Sequence, residues 1–148
     1  MLLQSEVLDL FERAKTRQEK LAVLKQHETP VLRALMRINF DPSVSMDLPE
    51  DVPPFKRDPT VPIGYNHTNL VTEYKRFYIW LDKSLNLNRV KKEQLFIEML
   101  EGLHYSEAEL LCFAKDKKLQ KKYKSLKEDI VREAYPATLP PKETKAEG

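Results

Sequence analysis

The stretch that most constrains this fold is residues 69–85. Leu70, Tyr74, Phe77, Tyr78, Leu81 and Leu85 recur at steps of three and four, so a single helix would carry them on one face. Ile79 and Trp80 fall off that face. At about 100° per residue, Ile79 points nearly opposite Leu70 and Trp80 points to one flank. A helix apolar on more than one side is usually surrounded, so the spacing predicts a central strut with the other elements packed around it.

The rest of the chain must supply that surrounding. Its 148 residues match one ordinary domain with a real core. With 41% hydrophobic and 32% charged residues, the composition is that of a soluble globular protein. Only three glycines are present, which disfavours Gly-rich phosphate loops and turn-rich all-β folds. No run approaches the roughly eighteen apolar residues of a membrane span. The start carries Glu6 and Asp9 and lacks the basic opening of a signal peptide, and Cys112 is the single cysteine. Both point to a reducing cytoplasm.

Taken in order, Leu3, Val7, Leu10, Phe11 and Ala14 mark a first helix over 3–15. Thr16 with Glu19 forms a capping box opening a second helix to about His27. Thr29-Pro30 starts a third, with Val31, Leu32, Leu35 and Ile38 as its apolar face. Residues 1–40 thus read as a three-helix unit. Residues 41–66 contain six prolines yet also Val44, Met46, Leu48, Val52, Phe55, Val61 and Ile63. Such apolar side chains suit an ordered meander pinned to the helices, covering Ile79 or Trp80; the alternative is a linker between two domains. After the strut, Asn88 caps a helix that Gly102 stops. Ser106 with Glu109 opens another to about Asp116, and Ser125 with Glu128 opens one ending before Pro136. Residues 140–148 read as a disordered tail. The expected fold is all-α: one helical domain over 1–139 with about seven short helices and a Pro-rich meander in the middle, residues 67–136 forming its second half.

No catalytic constellation stands out. His27, His67 and His104 have no ligand-spaced partners, so no metal or other cofactor is expected. Glu98 and Glu101 share a helix face but suit a solvated side, and Cys112 lies in an apolar run. No nucleophile elbow and no phosphate-loop pattern exists. A non-enzyme is expected, with no small-molecule substrate. Residues 94–115 have helix-turn-helix spacing, but Glu107 and Glu109 in the first turn of the second helix would repel DNA phosphates.

Two surfaces are candidates. The first is Ile79 and Trp80 among Lys75, Arg76 and Lys83, an apolar pair that is either covered by the meander or offered to a partner. The second is the run Lys115, Lys117, Lys118, Lys121, Lys122, Lys124 and Lys127, seven lysines against one aspartate, which suits a phosphate backbone or a solvated connection. Residues 41–51 hold four acids and no base, so acidic and basic segments on separate surfaces are expected although the net charge is only +2.

The segments Leu-Gln-Ser-Glu-Val-Leu-Asp-Leu-Phe, Glu-Thr-Pro-Val-Leu-Arg-Ala-Leu, Tyr-Lys-Arg-Phe-Tyr-Ile, Glu-Met-Leu-Glu-Gly-Leu-His and Lys-Asp-Lys-Lys-Leu occur in that order. Together they resemble a family of small uncharacterised proteins of T4-like bacteriophages, marine cyanophages in particular, over residues 1 to about 136. The resemblance carries no activity and no site residues. It implies a protein made in the cytoplasm of an infected bacterium. The leading expectation is a non-enzymatic accessory that binds a phage or host protein of the replication or transcription machinery. The alternatives are a nucleic-acid-associated accessory using the lysine run and a minor virion component.

Overall fold

In the computed structural model, which describes residues 2–56, 58 and 60–140, side-chain caps set most helix starts. The helices are α1 (Gln4–Arg13), α2 (Arg17–Gln26), α3 (Pro30–Phe40), α4 (Leu70–Glu73), α5 (Tyr78–Leu81), α6 (Arg89–Gly102), α7 (Tyr105–Lys115), α8 (Leu119–Lys122) and α9 (Glu128–Ala134). Thr16, Thr29, Asn69 and Asn88 each accept a backbone N–H from three residues on, at 2.8 to 3.1 Å. Two expected caps are displaced. α7 begins one residue before Ser106, because the His104 ring nitrogen Nδ1 accepts the Ser106 N–H at 3.1 Å. Ser125 does not open α9, because its N–H is already given to Glu12 of α1 at 3.2 Å.

The architecture is all-α, a single helical domain with no strand among the described residues. The expected tail falls mostly at 141–148, outside those residues.

The centre is not where the apolar spacing put it. α7 packs against α1, α3, α6 and α8, and Ala108, Leu110, Leu111, Cys112 and Ala114 are all buried. A helix buried on nearly all sides is the strut of the molecule. The expected single helix at 69–85 is instead two one-turn helices, α4 and α5, joined by a 3₁₀ turn over Tyr74–Arg76. Tyr, Phe, Ile and Trp are middling helix formers, so little local preference opposes the break. The helix ends at Leu81 because Asp82 Oδ1 takes the Ser84 N–H and hydroxyl at 3.0 and 2.7 Å, closing a turn.

The 3₁₀ turn also changes which side faces in. Its steps turn about 120° rather than about 100°, so three of them rotate the downstream residues by roughly 60°. Leu70, Phe77 and Trp80 therefore line up inward and are buried, while Val71, Tyr74 and Tyr78 face solvent.

The first half of the 41–69 meander is docked. Met46 is buried, and Val44, Leu48 and Phe55 pack partly buried on the core. Asp47 donates its N–H to the Trp80 carbonyl at 2.8 Å. The second half is looser, with Ile63 and Tyr65 exposed. It returns at Thr68, whose N–H reaches the Gly102 carbonyl at 3.1 Å. A Cβ on Gly102 would lie 3.3 Å from the Thr68 methyl, so glycine here allows that close pairing.

Candidate functional site

The surface that stands out is a side of the 70–81 segment that the sequence placed in the core. Tyr78 is 55% exposed, Tyr74 38% and Val71 37%. All three lie within eight residues of one segment, Tyr74 in the 3₁₀ turn and Val71 and Tyr78 on either side of it. Tyr74 is steadied by an edge-on contact with the Phe77 ring, centroids 5.6 Å apart. Lys75 and Arg76 are exposed on the same segment, and Lys83 just beyond it.

Of the two alternatives for the apolar half of the first sequence candidate, the structure has the covered one. Trp80 is 1% exposed. Its ring meets Phe96 edge-on at 5.5 Å, and its Nε1 donates to the Lys92 carbonyl at 2.9 Å. The rotation at the 3₁₀ turn carries it inward, under α6 and the meander. Ile79 is partly buried and packed against the core. Lys75, Arg76 and Lys83 remain at the surface, now beside tyrosines rather than beside Trp80.

The lysine run is split. Lys115 is buried and gives its three ammonium protons to the carbonyls of Pro49 and Asp51 and to the Asp116 carboxylate, at 2.7, 3.1 and 2.6 Å. Lys117, in the left-handed backbone region at φ +61°, turns its ammonium to the carbonyls of Ile38, Asp41 and Val44. Burial lowers the Lys117 pKa, only partly opposed by Asp41. These two cations hold backbone and are not presented to a phosphate. Lys118 faces Glu50 at 3.8 Å and Lys122 faces Glu109 at 3.6 Å. Lys121, Lys124 and Lys127 are exposed. The acidic and basic segments are therefore not wholly separate: meander carbonyls take the ammonium protons of Lys115 and Lys117, and Glu50 faces Lys118.

A polar cluster that the sequence did not single out sits at the other end of α7. Glu107 has no exposed surface, and its two oxygens accept the N–H groups of Gln4 and Leu70, each at 2.9 Å. One carboxylate thus satisfies the starts of both α1 and α4. Burial pushes the Glu107 carboxyl above its ordinary range, against the pull of those two N–H groups. Around it, Thr29 donates to the Gln4 side chain at 3.0 Å, and the Ser5 and Ser106 hydroxyls meet at 2.8 Å. Burial of α7 also retires it as a DNA-reading helix. The only hint of the clamp was an acid in the first turn of a largely apolar helix.

The remaining titratable candidates stay apart. Glu101 accepts the Lys56 N–H at 2.9 Å, Glu98 is exposed, and the histidines sit in three different places, His104 as the α7 cap. Among the described residues no group of three or more His, Cys, Asp or Glu is placed to hold a metal ion, and no helix is long and apolar enough to cross a membrane.

The fold therefore defines a small all-α domain with exposed tyrosines on its 70–81 segment. Residues 7–121 match the model of a family of unknown function, DUF6433, and the chain belongs to that family. No curated protein and no solved structure matches it.

Proposed function

We propose that this protein is a non-enzymatic binding module whose contact surface is formed by Val71, Tyr74 and Tyr78, flanked by Lys75 and Arg76. The observation that supports it is the exposure of two tyrosines on an ordered segment whose other side is anchored in the core. Tyrosine contributes large contact area at low entropic cost, and aromatic residues with neighbouring cations are the usual anchors of protein interfaces. The partner that suits this chemistry is a protein segment with apolar side chains and carboxylates. On the resemblance to T4-like phage proteins, that partner belongs to the replication or transcription machinery of an infected cell.

The test is quantitative affinity capture from infected cells with wild type and Tyr78→Ala. The expected result is a protein retained by wild type and weakened by about 2 kcal/mol or more in the variant, as for a hot spot. Equal capture by both would contradict the reading. A second reading, phosphate-backbone binding, now rests on Lys121, Lys124 and Lys127, which are exposed. It predicts affinity falling steeply with salt and lost in the triple glutamine variant. Detection in purified virions would instead favour a structural role.

A further inference from the structure

A second feature lies away from the exposed tyrosines and does not depend on them. Where the meander crosses α7 and α8, it leaves a cavity of about 370 Å³ lined by Asp51, Val52, Glu109, Cys112, Phe113, Asp116, Lys118 and Lys122. That size falls in the range of roughly 300–1,000 Å³ that small-molecule sites occupy. Val52, Cys112 and Phe113 give it apolar walls. Its carboxylates and cations are not equally committed. Asp116 is occupied on both oxygens, by the Lys115 ammonium at 2.6 Å and by the Asp51 N–H at 3.1 Å. Lys118 and Lys122 meet their carboxylates, Glu50 and Glu109, only at 3.8 and 3.6 Å, beyond hydrogen-bond distance. Both lysine side chains are about one third exposed, and an ammonium carries three donors, so each has donors to offer at the mouth.

We infer that this cavity is a binding site for a small amphipathic anion, with a compact apolar body against Phe113, Cys112 and Val52 and an anionic head between Lys118 and Lys122. An incoming carboxylate or sulfonate can approach the two ammonium groups at about 2.8 Å, closer than Glu50 and Glu109 do, and so displaces those long contacts. The apolar body removes Val52 and Phe113 surface from water.

The test is an NMR titration of the 148-residue chain with 2-naphthalenesulfonate and with its uncharged analogue 2-naphthalenesulfonamide. The sulfonate is expected to shift the amides of Val52, Cys112, Phe113 and Lys118 in a saturable way. The sulfonamide is expected to bind about tenfold or more weakly, a difference of about 1.4 kcal/mol. Lys118→Gln with Lys122→Gln should abolish the preference for the sulfonate. Higher salt should weaken the wild-type complex, a readout that needs no variant. Equal affinity for the two probes, shifts scattered away from the cavity, or no saturable binding would each overturn the assignment.

Discussion

Residues 70–81 and α7 make an instructive pair. The first is the most aromatic stretch of the chain, yet it is broken in the middle and turns two tyrosines to solvent. The second carries a glutamate near its start and a lysine at its end, yet both are buried along with most of its length. Apolar content alone does not decide which helix becomes the centre. What decides is whether the polar groups at a helix's ends find partners where water is absent. Glu107 receives the N–H groups of two other helix starts, and Lys115 supplies protons to two meander carbonyls. Each charge also sits at the end of α7 that its dipole favours. At the far end of the 70–81 segment a single meander N–H, that of Asp47, reaches the Trp80 carbonyl, and the Asp82 carboxylate turns to Ser84.

The largest test of this contrast is at Lys115. Lys115→Met leaves the carbonyls of Pro49 and Asp51 and the buried side of Asp116 without their donor. The expected loss is about 3–5 kcal/mol, the range for breaking one partner of a buried pair. A melting transition within the error of wild type would break the comparison at that end. Trp80→Ala should be comparable, about 3–5 kcal/mol, because it empties a packed site against Phe96. Per folded molecule it should capture the proposed partner as wild type does, since Trp80 is not at the surface.

Glu107→Gln is expected to lose about 1–3 kcal/mol, because one of two buried N–H groups then meets an amide NH₂ instead of an acceptor. Its pH dependence sharpens the point. Burial raises the Glu107 carboxyl above its ordinary value of 4.5. A raised folded value means that this group's stabilisation is complete below the unfolded value and is lost as pH rises through the folded one. The advantage of wild type over Glu107→Gln, measured by urea unfolding, should therefore grow as the pH falls from about 7 toward about 4.5. A gap that shrinks over that window would show the carboxylate to be better solvated than its burial implies.

The smallest effect belongs to the exposed tyrosines. Tyr78→Ala should change stability by less than about 0.5 kcal/mol, as surface substitutions do. Thermal unfolding checks it. A loss as large as that of Trp80→Ala would mean that the two sides of the segment had been assigned the wrong way round.

Much of this was legible in the chain. Thr16, Thr29-Pro30, Asn69 and Asn88 announce their helices because a cap needs only residues a few places apart. The all-α class follows from the same local signals and from the lack of two-residue alternation. What was not legible depended on a change of phase or a distant partner. The 3₁₀ turn at Tyr74–Arg76 rotates the helix face, and no residue type in that segment marks it. That Lys115 and Lys117 turn inward depends on carbonyls of α3 and the meander some 64 to 79 residues away in sequence. Ser125 has the local form of a cap, but Glu12 of a different helix claims it.

The central claim, that α7 rather than the 70–81 segment is the strut, is tested most directly by native-state hydrogen exchange. Amides of Leu110, Leu111, Cys112 and Ala114 should exchange only through global unfolding, with opening free energies equal to the stability from urea denaturation. Amides of Phe77, Leu81 and Asp82, which close the ends of short turns, should exchange through local opening at distinctly lower free energy. Equal protection in the two regions, or stronger protection in the second, would contradict the account.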